Sequence, residues 1–141
     1  MIIDSLKLKK AIKIGVLLWI IGMTLVGMVG YNQDGEKTDL YIPMVAATGI
    51  VSFIILYRFV SKKYWSLIDK EKWVIECFVF GIIVMAIQFL IDIPVMGLLL
   101  KQNLIDYFFK KSTVMVVYPS IPLQTVLIGY LTLKKSAQPS E

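Results

Sequence analysis

The chain contains no histidine and only one cysteine, Cys77, and these shortages exclude several kinds of chemistry. Without histidine there is no bis-histidine haem, no histidine general base and no zinc site of the common kinds. A lone cysteine forms neither an internal disulfide nor a Cys-x-x-Cys redox pair. The sequence also lacks a glycine-rich phosphate-binding loop. We therefore expect no cofactor and no metal site, and the sequence favours a non-enzymatic protein over an enzyme.

Charged residues are scarce as well, at 18% of 141 residues, while 57% are hydrophobic. A soluble domain carries about 25% charged residues. The charges here separate four uncharged runs, and a membrane-spanning helix needs roughly 17–25 mostly apolar residues. The third run reaches that length once the acids at its ends, Glu76 and Asp92, are included. The sequence predicts an all-α, polytopic four-helix membrane bundle in one domain, 1–135, with a polar tail at 136–141. The predicted spans lie near residues 11–31, 40–60, 73–97 and 112–133.

The net charge of +5 does not indicate nucleic-acid binding, because the basic residues flank the spans. Basic residues in short loops stay on the cytoplasmic side of a membrane. Eleven of the 15 basic residues lie before the first uncharged run (14–31), between the second (40–57) and the third (77–91), or after the fourth (112–133). We therefore predict a multi-pass protein of the cell membrane with both termini in the cytoplasm, and with the lipid bilayer as its first partner.

Two connections have the pattern of short amphipathic helices lying in the membrane interface. In the loop after the second span, Tyr64, Trp65 and Ile68 recur at helical spacing among lysines. In the connection between the third and fourth spans, apolar residues form a similar stripe at Leu104, Ile105, Phe108 and Phe109. Such a stripe predicts anchoring to the membrane surface.

Small residues recur along the second span at Ala46, Gly49 and Ser52. Small residues let membrane helices approach closely, so this patch is a candidate packing face. With no catalytic groups in evidence, we expect first an oligomerising or accessory membrane subunit, forming a homo-oligomer or joining a membrane protein partner. The alternative is a small transporter or channel, and the third possibility is a lipid-modifying enzyme.

Ionisable groups within spans are costly and are candidates for function, and Asp92 is the first of them. Gln88 lies four residues earlier on the same helical face. Pro94 follows Asp92 and is expected to disfavour helical geometry at Ile93. The carboxylate could then satisfy local amides, or it could accept a proton or bind a cation.

The fourth span supplies possible partners for Asp92, because Pro119 and Pro122 each remove a backbone hydrogen bond there. Irregular backbone at membrane depth is tolerated when it is buried in protein or lines a wet cavity. A kinked helix with its carbonyls satisfied by neighbours is the other possibility. The candidate polar site therefore comprises Asp92, Gln88, Tyr118, Ser120 and Gln124.

Glu76 is a secondary candidate, 16 residues before Asp92 and hence about 24 Å away along a straight helix. It lies near the opposite membrane interface. There we expect it to pair with Lys72 or Lys70, or to contact headgroup water.

In outline the chain resembles small multidrug transporters, but their carboxylate in the first span is absent from residues 14–31. The membrane glutathione-transferase pattern of Glu-Arg and Asn-x-x-Glu is absent from residues 40–58. The chain is similar to small four-span bacterial and archaeal membrane proteins of unknown function. These carry Asp-x-Pro at the end of the third span, here Asp92-Ile93-Pro94, and an aromatic outer connection, here Tyr107-Phe108-Phe109. That resemblance implies the fold and no activity.

Overall fold

The computed structural model describes residues 4–34, 36–111 and 114–137. In this part of the chain the regular structure is helical, apart from one isolated antiparallel bridge between Tyr31 and Lys37. Four helices are long and apolar enough to cross a membrane, at Ser5–Gly27, Tyr41–Leu67, Trp73–Leu99 and Met115–Ser136. The prediction of an all-α four-helix membrane bundle is confirmed, and the protein is a multi-pass membrane protein.

Three of the spans begin as α-helices and continue into wider π-helical turns. The elements are α1 (Ser5–Gly22, continued by Met23–Gly27), α2 (Tyr41–Phe59, continued by Val60–Tyr64 and a 3-10 turn at Trp65–Leu67), α3 (Trp73–Asp92, continued by Ile93–Leu99), α4 (Leu104–Asp106, continued by Tyr107–Lys111) and α5 (Val114–Ser136). We call the end of the bundle with the start of α1 and the turn at 68–72 the lysine end. The opposite end, with the connections at 28–40 and 100–111, is the loop end.

The third span continues past Pro94, within its predicted bounds, but the expectation that Pro94 would disfavour helical geometry at Ile93 was wrong. Ile93 has helical backbone angles (φ −55°, ψ −57°), and the helix continues to Leu99 with wider turns. Pro94 has no N–H to bond a carbonyl of the preceding turn, and the turns widen at this point of the helix. Lys101 then adopts a left-handed conformation (φ 50°), which lets the chain turn into α4.

Helix α3 packs between α1 and α5, and the closest approach lies in its half nearer the lysine end. A Cβ added to Gly81 would lie 2.5 Å from the Cα of Pro122 and would also meet the hydroxyl of Thr125. Thr125 is fully buried, and its hydroxyl lies 2.8 Å from the carbonyl of Cys77 across the interface. Here the helices are close enough that only glycine fits.

The predicted packing face on the second span was wrong for this bundle. Ala46 is exposed, and a Cβ added to Gly49 would meet nothing within 4 Å. Helix α2 contacts α1 and α5 less extensively than α3 does. Its small residues therefore border open space, and the close helix contacts form at α3 instead.

Of the two predicted interfacial helices, the structure contradicts the first and contains a helix at the second. Tyr64 and Trp65 belong to the end of the second span, Ile68 follows it directly, and all three are buried in the core. The prediction of a separate surface helix there was therefore wrong. The Tyr64 ring packs 4.2 Å from that of Phe80, and this aromatic contact draws the segment inward. Residues 104–111 are helical as predicted, while their location at a membrane surface stays a prediction.

Candidate functional site

A cavity of about 870 Å³ lies between the four spans and extends to the loop end. Each span contributes a stripe at helical spacing, and the loops contribute polar residues around the mouth. The residues from the spans include Leu18, Trp19, Gly22, Met23, Tyr41, Val45, Thr48, Gly49, Ser52, Gln88, Asp92, Met96, Val117, Tyr118, Ile121 and Gln124. A volume of this size suits a drug-sized organic molecule.

Asp92 lies on the wall of this cavity with 1% of its surface exposed. Its Oδ1 accepts a hydrogen bond from the Trp19 indole at 2.7 Å, and its Oδ2 accepts one from the Tyr118 hydroxyl at 2.5 Å. Tyr107 from α4 also hydrogen-bonds the carboxylate. Of the roles left open for Asp92, the satisfying of local amides does not fit the structure, because its donors come from three other elements.

The three donors around Asp92 are all neutral. In the described part of the chain the ion pairs within 4 Å are Lys7–Glu76 and Lys110–Asp106, and neither includes Asp92. The lysines that line the cavity, Lys37, Lys101 and Lys110, belong to the loops at its mouth. An ionised carboxylate buried without a cation is unfavourable, because moving its charge from water into a low-dielectric interior costs free energy.

Three buried polar atoms on the cavity wall have no hydrogen-bond partner among the described residues: Gln88 Nε2, Gln124 Oε1 and Thr48 Oγ1. Gln88 is 5% exposed. Gln124 uses its Nε2 to bond the Ser120 hydroxyl at 3.1 Å, which leaves its oxygen unpaired. Buried polar groups are nearly always paired, so these three atoms are available to hydrogen-bond water or a polar ligand in the cavity.

Five aromatic rings line the cavity, one each from α1, the loop after α1, α2, α4 and α5: Trp19, Tyr31, Tyr41, Tyr107 and Tyr118. Burial raises the pKa of Tyr107, and the nearby Asp92 carboxylate raises it further. Burial and the hydrogen bond with Tyr41 raise the pKa of Tyr31. Both phenols, which lie outside the spans, are therefore protonated at neutral pH.

The structure brings together most of the residues that the sequence singled out. Asp92, Gln88, Tyr118 and Gln124 line the cavity, whereas Ser120 is outside the lining and supports Gln124. The Ser120 hydroxyl also donates to the Val117 carbonyl at 2.5 Å. Helix α5 runs continuously through both prolines.

Three residues of the cavity wall were not among the predicted site residues: Trp19, Tyr107 and Thr48. Trp19 could have been predicted from the sequence, since an indole N–H in the middle of an apolar span needs a hydrogen-bond acceptor. Tyr107 was recognised only as part of an aromatic connection. Thr48 carries no sequence signal, because a threonine in a membrane helix usually bonds its own backbone.

Glu76 lies away from the cavity and is not part of this site. Its Oε2 pairs with the Lys7 ammonium at 2.7 Å, and both side chains are buried. Its Oε1 accepts from the backbone amide of Asp69 at 3.3 Å. The expected pairing with Lys72 or Lys70 was wrong, because the start of α1 lies beside α3 and brings Lys7 closer.

Comparison with protein-family models, with curated proteins and with solved structures finds no match to this chain. The similarity to small four-span bacterial and archaeal proteins therefore stays a prediction. The proposals below depend on the geometry of the cavity and its residues.

Proposed function

We propose that this protein is a small transporter that exchanges an organic cation for a proton at Asp92. The observation that carries the proposal is the carboxylate itself, buried on the wall of an 870 Å³ cavity with neutral donors and no basic partner within 4 Å among the described residues. Membrane-embedded carboxylates of this kind mark ion and substrate pathways.

The charge of the site favours a cation over an anion. The span residues that line the cavity contain one acid and no base. Two unit charges attract with about 4 kcal/mol at 4 Å when the effective dielectric constant is about 20. A bound cation near Asp92 would gain part of that energy, and an anion would lose as much.

The lining favours an organic cation over a bare metal ion. Ring faces attract cations, with about 2 kcal/mol or more at desolvated sites, and five aromatic side chains line the cavity. Apolar side chains such as Met23, Val45 and Met96 cover the remaining wall. Among the described residues no group of three acidic or cysteine side chains is placed to hold a metal ion. Gln88 Nε2, Gln124 Oε1 and Thr48 Oγ1 are available for a polar substituent.

The exchange follows from charge balance at one carboxylate. Without substrate, a proton on Asp92 supplies the positive charge that the site lacks. When the cation binds, that proton leaves, so the charge in the cavity is unchanged and the two ligands compete. A proton on Asp92 also converts one accepting oxygen into a donor, which changes the hydrogen bonds from Trp19 and Tyr118. Occupancy is thereby coupled to the positions of α1 and α5.

Access is asymmetric in this conformation, because the cavity extends to the loop end while the lysine end is packed. At the lysine end the Lys7–Glu76 pair joins α1 to α3, and Lys10 donates to the Lys63 carbonyl at 2.7 Å. If the charge rule for orientation holds, the loop end faces away from the cytoplasm. The conformation would then be the outward-open one.

The first experiment measures binding of tetraphenylphosphonium to the purified protein in detergent by isothermal titration calorimetry. We expect saturable binding that weakens at low pH, with about one proton released for each cation bound. Asp92→Asn should lose about tenfold or more in affinity, a change of about 1.4 kcal/mol. The matched control is Asp39→Asn, an exposed loop acid outside the cavity lining, which should bind like the wild type.

A second variant tests the cavity without touching the carboxylate. Gly49→Phe would fill open space, since a Cβ there meets nothing within 4 Å, and it should abolish binding while the protein stays folded. Proteoliposomes loaded at low internal pH should accumulate tetraphenylphosphonium. Wild-type affinity in both Asp92→Asn and Gly49→Phe, or no binding by the wild type, would overturn the proposal.

The accessory-subunit hypothesis remains the alternative. The small residues that supported it now have another explanation, because Gly49 and Ser52 line the cavity. A measurement of mass in nanodiscs distinguishes the two functions. A stable homo-oligomer or a co-purifying membrane protein, without cation binding, would favour the accessory subunit.

A further inference from the structure

A second cavity, of about 590 Å³, lies between α2 and α5 at the lysine end, far from Asp92. We call it the basic groove. Its charged lining residues are Arg58, Lys62 and Lys135, and none of the described residues that line it is acidic. All three cations are exposed, and neither ion pair in the described part of the chain includes them.

The other half of the basic groove is apolar and aromatic. Phe53, Ile54, Tyr57 and Trp65 form this part of the lining, and Ile54 has 50% of its surface exposed. Because α2 and α5 are spans, this apolar part faces the hydrocarbon, and the cations lie near the ends of both helices. The groove therefore offers positive charge beside an apolar channel, which matches an anion carrying an acyl chain.

The serine and threonine hydroxyls in the groove do not add donors for an anion. Ser61 donates to the Tyr57 carbonyl at 2.6 Å, Thr132 to that of Ile128 at 2.8 Å and Ser136 to that of Thr132 at 2.9 Å. Each hydroxyl has a single proton, so those protons are already used. The Tyr57 hydroxyl and the Trp65 indole N–H are the neutral donors that remain in the lining. The positive charge comes from the three basic side chains, which predicts strong dependence on salt.

We infer that the basic groove binds the headgroup of an anionic phospholipid, with an acyl chain lying along Phe53 and Ile54. Basic pockets between membrane helices bind anionic headgroups in this way. Zwitterionic lipids should bind less well, since their ammonium group meets the same three cations. Free phosphate should bind weakly, because it cannot use the apolar half of the groove.

Native mass spectrometry of the detergent-solubilised protein tests this inference with phosphatidylglycerol, phosphatidylcholine and inorganic phosphate as probes. We expect a retained phosphatidylglycerol adduct and little of the other two. The triple variant Arg58→Gln, Lys62→Gln and Lys135→Gln should weaken phosphatidylglycerol binding by about tenfold or more. The control is Lys9→Gln, Lys13→Gln and Lys134→Gln, which removes the same charge at the same end but outside the groove.

The result that would overturn the inference is equal loss of phosphatidylglycerol by both triple variants, which would indicate a general charge effect. Equal retention of phosphatidylcholine, or displacement of the lipid by millimolar phosphate, would also overturn it. If the groove variant fails to fold, the wild type alone decides. Its phosphatidylglycerol adduct should diminish as salt rises, whereas an adduct that persists would contradict binding by charge. Cation binding at Asp92 is measured separately, so the two proposals fail independently.

Discussion

The two ends of this bundle each bury a carboxylate on α3, and they satisfy it in opposite ways. Near the lysine end, Glu76 has a cation at 2.7 Å and lies among tightly packed helices. Toward the loop end, Asp92 has three neutral donors and borders a cavity of about 870 Å³. A buried acid with its own cation needs nothing further, whereas one without a cation can accept a mobile one. The Glu76 carboxylate is therefore part of the packing of the helices, whereas the Asp92 carboxylate is available to a ligand.

The largest expected effect comes from breaking the ion pair at the lysine end. Lys7→Ala leaves Glu76 buried without a cation, and this should destabilise the protein by about 3–5 kcal/mol. The double variant Lys7→Met and Glu76→Leu should recover most of that loss, since an apolar pair of similar volume replaces the charges. Unfolding in mixed detergent micelles measures both, with Lys9→Ala as the exposed control. A double variant as unstable as the single one would show that the pair does more than satisfy its own charges.

The next largest effect is a difference in stability between alanine substitutions at two glycines, Gly81 in the packed half of the bundle and Gly49 beside the cavity. Gly81→Ala should cost about 1–3 kcal/mol by overpacking, because its Cβ would lie 2.5 Å from the Cα of Pro122. Gly49→Ala should be neutral or slightly stabilising, since the new methyl meets nothing within 4 Å. The same unfolding assay checks both substitutions. Equal losses at the two glycines would contradict the contrast in packing.

A pair of threonines gives a smaller effect of the same kind. Thr125→Val removes a hydroxyl that bonds the Cys77 carbonyl, and it should cost about 1 kcal/mol. Thr48→Val removes a hydroxyl that has no partner among the described residues, so the stability of this variant should equal or exceed that of the wild type. Tetraphenylphosphonium affinity should fall only in Thr48→Val. A loss of affinity in Thr125→Val alone would place the ligand elsewhere.

The smallest effect is a pH dependence at Tyr107. The unfolded phenol titrates near its ordinary pKa of about 10, whereas burial and Asp92 raise the pKa of the folded one. Above about pH 10 the folded state therefore holds a proton that the unfolded state has lost, and stability falls as pH rises. Between pH 8 and pH 11, wild type should lose more stability than Tyr107→Phe. Parallel pH profiles for the two proteins would show that Tyr107 is not buried in this way.

Much of the candidate site could be predicted from residue type and helical spacing. Asp92 and Gln88 share a face four residues apart, and Tyr118 and Gln124 lie in a span with two prolines. The partners of Asp92 could not be predicted so well. Trp19 is 73 residues away in sequence, and no local pattern indicates which face of α1 meets α3.

The four spans, and the acids Glu76 and Asp92 at the ends of the third, follow from the sequence alone, because a bilayer admits only long apolar helices and makes every charge within them costly. Which of the two acids receives a cation depends on tertiary contacts. Lys7 pairs with Glu76 although 69 residues separate them in the sequence. Helix α2 contacts α1 and α5 less extensively than α3 does, and Gly49 on α2 borders open space. Helical period fixes which residues share a face, but the neighbour of that face depends on how the other helices pack.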